Sequence, residues 1–172
     1  MRPRARSVAG LIVVTAAIAT ACVGGPNILS DYGSPYGLSG HGSRAQPHDG
    51  VDFAGGFGAP VLAAAEGRVV RAGALHPQCG VGVRIRHAFG MNTVYCHLST
   101  VAVEPGDRVT RGQPIGTIGV SGNYAGITHV HFMLVSTEDL DPKPYFVGCY
   151  EAGTEYPTEK LVLTYPVVCR NR

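Results

Sequence analysis

The feature that most limits how this chain can fold is a two-residue rhythm of apolar and polar side chains, in short runs cut by glycine. Val81, Val83 and Ile85 alternate with Gly82, Arg84 and Arg86. Val51 and Phe53 alternate with Asp52 and Ala54, and Val130, Phe132 and Leu134 alternate with His129, His131 and Met133. Period two sends alternate side chains to opposite faces of a strand, whereas an amphipathic helix needs apolar residues three and four apart. Glycine recurs between the runs, 24 in 172 residues, and that punctuation favours tight turns over long helices. Gly67 to Arg71 reads as another strand, and Gly106 to Val109 and Gly112 to Gly116 as two turn-plus-strand units. A turn at Gly90, Met91 and Asn92 leads back into Thr93 to His97, so residues 81 to 98 are expected to form a hairpin. No helix of ordinary length and no internal repeat is expected. The fold class is therefore all-β, an antiparallel β-sandwich over residues 29–135. Residues 136–172, rich in proline, tyrosine and acidic groups, are expected to pack on it as an irregular C-terminal extension.

The first 21 residues have a different character. Arg2, Arg4 and Arg6 precede an apolar run from Val8 to Ala21 that ends in the small residues Ala19, Thr20 and Ala21. A positive start, a short apolar stretch and small residues make a secretory signal, and the run is short for a membrane span. Cys22 follows directly, a placement similar to the lipid-attachment site of bacterial lipoproteins, although those usually carry Leu where Ala19 stands. Residues 22–28 would then be a lipid-anchored linker. About seven extended residues reach at most roughly 25 Å, which would keep the domain close to its membrane. Removing three arginines from 14 basic side chains leaves 11 against 12 acidic ones. The basic excess thus belongs to the signal, and nothing in the charge pattern points to nucleic acid.

Cys79, Cys96, Cys149 and Cys169 remain. An even count in an exported chain reads as disulfides. Of the three possible pairings, Cys79–Cys96 and Cys149–Cys169 are favoured because each closes a short local loop. A cysteine-held metal is disfavoured, since no CxxC pair occurs.

Histidine carries the chemistry. His48 and Asp52 are four apart. Gly50 and the β-branched Val51 argue for an extended segment, in which His48, Gly50 and Asp52 share one face and Val51 and Phe53 point to the core. His129 and His131, two apart, must also share a face. His97 ends its own strand, on the face assigned to Thr93 and Tyr95. Three strands would thus bring four histidines and one aspartate to one patch, and imidazole nitrogen with carboxylate oxygen suits zinc at about 2.0–2.2 Å. An isolated HxxxD is weak evidence and an isolated HxH little better. The weight lies in the combination. His41, His76 and His87 fall in loops or at strand ends and are expected to be solvated.

These residues, in order, resemble the lysostaphin-type (LytM-like) zinc metallopeptidases, a family of cell-wall endopeptidases. The likeness runs through His48-Asp49-Gly50-Val51-Asp52, the Ala59 to Ala63 segment, Gly67 to Val70, Val83 to His87, Thr93 to Ser99, Gly106 to Val109, Gly112 to Gly116, Gly119 to Gly122 and His129 to Phe132. It implies a sandwich of the duplicated hybrid motif kind and one zinc ion held by His48, Asp52 and His131. It also implies a catalytic pair in His97 and His129, without dividing the two roles between them. The implied activity is hydrolysis of peptide cross-links in peptidoglycan. The implied partners are peptidoglycan stems or cross-bridges and a membrane reached through the lipid anchor. The implied setting is the cell envelope, facing the periplasm or cell wall, with the protein a monomer. Where the family commonly has Glu, this chain has Met133, which removes a carboxylate from the face of His129 and His131.

Two other classes compete. The family includes regulators that have lost ligands and activate other wall hydrolases, but all five residues are present here. The Gly106 to Gly119 segment is also similar to lipoyl and biotinyl carriers. Those need a lysine at a hairpin tip, and the only lysines are Lys143 and Lys160 in the tail.

Overall fold

The alternating runs form strands, and the face each run presents follows from its rhythm. The computed structural model describes residues 25–35, 38, 46–123 and 127–169. The signal segment 1–21, Cys22 and His41 lie outside the described residues. In chain order the strands are β1 (Ile28–Ser30), β2 (Val51–Ala54), β3 (Pro60–Leu62), β4 (Gly67–His76), β5 (Gly80–Arg86), β6 (Asn92–Cys96) and β7 (Leu98–Val101). They continue with β8 (Arg108–Val109), β9 (Pro114–Ile118), β10 (His129–Val135), β11 (Asp139–Leu140), β12 (Phe146–Gly148) and β13 (Leu163–Thr164).

The larger sheet runs β1-β2-β10-β6-β5-β4-β8, with β11 added to β10, and a second sheet runs β3-β9-β7. Every pairing in these two sheets is antiparallel. One core fills the space they share. Phe53, Val83, Ile85, Tyr95, Val130 and Phe132 come from the large sheet, and Val61, Leu98, Ile115 and Ile118 from the small one, all essentially inaccessible to solvent. Burying a side chain of that size stabilises the fold by about 1.5–3 kcal/mol. Phe132 pairs with Tyr95 on one side and with Val51 on the other. The Tyr95 and Phe132 rings meet edge-on at 5.3 Å.

The hairpin expected over 81–98 forms between β5 and β6, with Arg86 opposite Asn92. Its turn is a 3-10 segment at Ala88–Gly90, with Phe89 at φ 62° and Gly90 at φ 73°. His87, expected in solvent, is buried beside it. Its Nδ1 meets the Glu66 carbonyl at 2.7 Å and its Nε2 the Thr93 hydroxyl at 2.7 Å. Burial holds its pKa below the ordinary histidine value. The C-terminal extension is more ordered and more central than its composition implied. β12 and β13 pair in parallel, Leu163 and Thr164 are fully buried, and the Thr164 amide donates to the Ala64 carbonyl at 2.9 Å. Phe146 packs on Phe53 and Phe132 at 5.7 and 5.5 Å. Arg111 clamps the extension from below, donating to the Ala64 and Val162 carbonyls and lying 4.3 Å from the Tyr156 ring centre.

Both expected disulfides are present. Cys79–Cys96 ties the β4–β5 turn to the end of β6, and Cys149–Cys169 ties the end of β12 to the chain beyond β13. Loops of this size are each stabilised by about 3 kcal/mol through the entropy they remove from the unfolded chain.

Candidate active site and metal centre

β2 and β10 run antiparallel with His131 opposite Asp52 and Val130 opposite Phe53. That register sends Asp52 and His131 to one face and Phe53, Val51, Val130 and Phe132 to the core. His48 precedes β2. Its Nδ1 is 2.9 Å from the Asp31 carbonyl and 3.3 Å from the Ser30 hydroxyl, so its Nε2 is turned inward. Gly50 is required between them. A Cβ there would sit 2.4 Å from the Phe132 carbonyl oxygen and 2.8 Å from His131 Cε1.

Three donor atoms converge. His131 Nδ1 lies 2.8 Å from Asp52 Oδ1, His48 Nε2 lies 3.0 Å from His131 Nδ1, and His48 Nε2 lies 3.2 Å from Asp52 Oδ1. Ligands at about 2.0–2.1 Å in a tetrahedron stand roughly 3.3 Å apart, so this triangle is close to the face a zinc ion needs. His48, Asp49 and His131 also offer donors within 4.8 Å of one another. Asp52 fits better, because its side chain is 3% exposed against 53% for Asp49 and it faces the inward nitrogens of both histidines. Asp49 instead lies against the other nitrogen of His131, Nε2, at 3.3 Å.

His129 and His97 stand beside the triangle. His129 Nε2 is 3.8 Å from Asp52 Oδ1, and the His97 ring centre is 4.7 Å from that of His129 and 5.9 Å from that of His131. The route by which His97 arrives corrects the expectation from alternation. Tyr95 faces the core with Phe132, where its hydroxyl accepts from the Ala64 amide at 2.9 Å, and burial pushes its pKa up to about 12. In regular strand His97 would follow Tyr95 into the core. It leaves the strand at φ 64° instead, a left-handed conformation uncommon outside glycine. Its amide is held by the Cys79 carbonyl at 2.9 Å, in the loop that the disulfide joins to Cys96.

The electrostatics separate the histidines. Burial holds His97 down to about 4, and burial also lowers His129. Burial opposes charge on His131 too, but hydrogen bonds with Asp49 and Asp52 outweigh it and raise the group to about 9. Burial would raise Asp52, yet hydrogen bonds from His131 and His48 hold it below the usual carboxylate range. Without metal, one proton is thus trapped among His131 and its carboxylates, while His97 and His129 are neutral. The Nδ1 atoms of His97 and His129 face the carbonyls of Ser121 and Ile127, both at 2.8 Å. A carbonyl only accepts, so Nδ1 carries hydrogen and Nε2 is the basic nitrogen in each ring.

All five expected residues line one cleft of about 160 Å³. Its rim also holds Asp49, His76, Gln78, Met133 and the Cys79–Cys96 disulfide. His76 is exposed as expected but borders the cleft. Gln78 carried no signal in the sequence, whereas Asp49 sits inside the HxxxD motif itself.

The model of peptidase family M23 matches residues 46–142, more than half of the chain and the whole of this site. The chain belongs to peptidase family M23. Membership of this lysostaphin-type family implies a metal site, and the spacing of the His48, Asp52 and His131 donors fits one. The M23 chain is 41% identical over 92 residues to the peptidoglycan DD-endopeptidase ShyA of Vibrio cholerae, covering 54% of this chain and 21% of that protein. It is 35% identical over 126 residues to the glycyl-glycine endopeptidase ALE-1 of Staphylococcus capitis, covering 69% and 34%. It therefore spans only about a fifth to a third of these relatives' length. Among solved structures, the catalytic domain of lysostaphin from Staphylococcus simulans superposes with a TM-score of 0.62 at 33% identity, covering 70% of this chain and 91% of that one. A zinc-containing peptidase from Vibrio cholerae superposes with a TM-score of 0.59 at 33% identity, covering 68% and 36%.

Proposed function

We propose that this M23 chain is a zinc-dependent endopeptidase that hydrolyses peptide cross-links of bacterial peptidoglycan. The observation that carries the reading is the triangle of His48 Nε2, Asp52 Oδ1 and His131 Nδ1, with edges of 2.8–3.2 Å, beside two neutral histidines. His48, Asp52 and His131 would hold one zinc ion. Three protein ligands leave a position open to water or substrate, the pattern of catalytic rather than structural zinc. Zinc so held supplies Lewis acidity, which makes water more acidic and polarises a peptide carbonyl.

The neighbouring side chains handle the protons. One of His97 and His129 takes a proton from the attacking water at Nε2 as the oxygen–carbon bond forms. A proton passes from the pair to the leaving amine as the carbon–nitrogen bond breaks. Acid–base help of this kind is worth about 10²–10⁴-fold in rate. Both rings are neutral at neutral pH, so each has a nitrogen able to accept a proton. The substrate class is supported by relatives named as peptidoglycan endopeptidases.

The reading extends to location and organisation. Residues 1–21 act as an export signal, Cys22 carries the lipid, the stretch from Cys22 to the start of β1 at Ile28 forms the tether, the chain from there to residue 135 forms the peptidase domain and residues 136–172 its packed extension. The protein works as a monomer at the envelope. Among the described residues, no helix is long and apolar enough to cross a membrane. Replacing Cys22 with Ser should release the protein from membranes on fractionation, and retention would sink the anchor.

Activity is tested by incubating purified protein with isolated cell walls and weighing the released fragments by mass spectrometry. Fragments cut at one peptide bond are expected from wild type and none from His131→Ala. Equal release by both proteins, or none from any wall type, contradicts the proposal.

A further inference from the structure

We propose that Asp49 is a positioning residue for His131: its carboxylate accepts the Nε2–H of that ring and so reserves Nδ1, the nitrogen aimed at Asp52 and His48, for the metal. The inference rests on the metal reading above and deepens it, because Asp49 would set the metal affinity without being a ligand.

Each of the four site imidazoles has an acceptor on the nitrogen turned away from the site. For three of them it is a backbone carbonyl: Asp31 for His48 at 2.9 Å, Ser121 for His97 at 2.8 Å and Ile127 for His129 at 2.8 Å. In each of these rings Nδ1 is the outer nitrogen. His131 is reversed. Its Nδ1 is the inner atom, 2.8 Å from Asp52 Oδ1 and 3.0 Å from His48 Nε2, so Nε2 must be held from behind, and the group there is Asp49 Oδ1 at 3.3 Å. An ionised carboxylate only accepts, so Nε2 carries hydrogen, and Nδ1 is the nitrogen a metal would take. The backbone explains why residue 49 supplies the acceptor. The His131 ring lies over Gly50, with Cε1 and Nε2 2.8 and 3.1 Å from where a Cβ would be. The side chain just before Gly50 is therefore placed at the ring's far edge. Met133, two residues along β10 and also on the cleft, offers only a thioether, a weak acceptor.

The two nitrogens of an imidazole point apart, so a cation on Nδ1 is not shared with a carboxylate on Nε2. A carboxylate behind a metal-binding histidine fixes its tautomer and raises its basicity, and losing such a partner typically costs about 10–100-fold in metal affinity. His48 has the Asp31 carbonyl beside the Ser30 hydroxyl, whereas the acceptor behind His131 is the Asp49 side chain, which one substitution removes.

The experiment compares the full chain with Asp49→Ala and Asp49→Asn. Each is stripped of metal and checked for native circular dichroism. Zinc affinity is read by chelator competition, and the visible spectrum of the cobalt-substituted protein reports on the ligand set. The half-exposed Asp49 should tolerate both changes, and Asp49→Asn serves alone if Asp49→Ala does not fold. Expected is a loss of about 10–100-fold in zinc affinity for Asp49→Ala, a smaller loss for Asp49→Asn, which keeps an oxygen acceptor, and a cobalt spectrum of unchanged shape. Wild-type affinity, within twofold, in either variant overturns the inference. A changed cobalt spectrum also overturns it, by making Asp49 a ligand. If wild type itself binds no zinc, the metal reading fails and this inference falls with it. If wild type binds zinc and the variants bind it equally, this inference alone fails.

Discussion

Replacing Gly50 with alanine should damage the site through the backbone alone. The new Cβ would lie 2.4 Å from the Phe132 carbonyl oxygen, and contacts under 3.0 Å are essentially never seen for real Cβ atoms. Restoring even that distance moves β2 and β10 apart by about 0.6 Å, the difference between the two values. The oxygen belongs to a core strand and cannot swing aside like a side-chain tip. Overpacking of this kind costs about 1–3 kcal/mol. For a domain of this size, 1 kcal/mol is about 2–4 °C of melting temperature, so a fall of roughly 2–12 °C is expected. The same displacement falls between His131 and Asp52, which are cross-strand partners, and productive sites tolerate only about 0.5 Å of misplacement. Zinc affinity should therefore drop at least tenfold. Gly56→Ala is the control: nothing lies within 4 Å of its Cβ position and its φ is not positive, so it should be neutral or slightly stabilising. Thermal melts of the metal-free proteins and chelator competition read both effects. The reasoning is refuted if Gly50→Ala melts with wild type and binds zinc equally.

Two further outcomes follow from the geometry. Replacing Cys79 and Cys96 with serine should cost about 2–4 kcal/mol and also reduce kcat, because the Cys79 carbonyl holds the left-handed His97. The same change at Cys149 and Cys169 should cost stability alone, and equal kcat loss in both pairs would contradict this. In the metal-free protein, stability should peak near pH 6.5, the ordinary histidine value. His131, raised to about 9, contributes stability that is full below 6.5 and lost as pH rises through 9. His97, held down to about 4, contributes stability present above 6.5 and lost as pH falls toward 4, and His129, also lowered, acts in the same direction. Zinc bound there would replace a proton on His131 and should abolish the alkaline loss. Melting temperatures that stay flat from pH 6.5 to about 9 in chelator would contradict the assignment.

Much of the site was legible because strand periodicity is strict. His129 and His131 had to share a face, and their strand spans His129–Val135 as the alternation implied. The local disulfides followed from loop length. His97 was legible as a site residue only through its company in the sequence. Alternation places it with Tyr95, and a positive φ, invisible in a histidine, reverses that. His87 read as a loop residue because its partners, the Glu66 carbonyl and the Thr93 hydroxyl, come from elsewhere in the chain. The extension read as irregular because its buried residues, Phe146, Leu163 and Thr164, are scattered among prolines and lack period. Asp49 was hidden in plain view, since its neighbours His48 and Asp52 accounted for the motif.

The most direct test of the central claim is a zinc titration followed by hydrolysis. Protein stripped of metal by chelator should release no peptide fragments from purified peptidoglycan. Activity should return linearly with added zinc and saturate at one equivalent, while His48→Ala, Asp52→Ala and His131→Ala stay inactive throughout. Hydrolysis that survives chelation, or that needs zinc but persists without His131, would contradict a metal held by these three side chains.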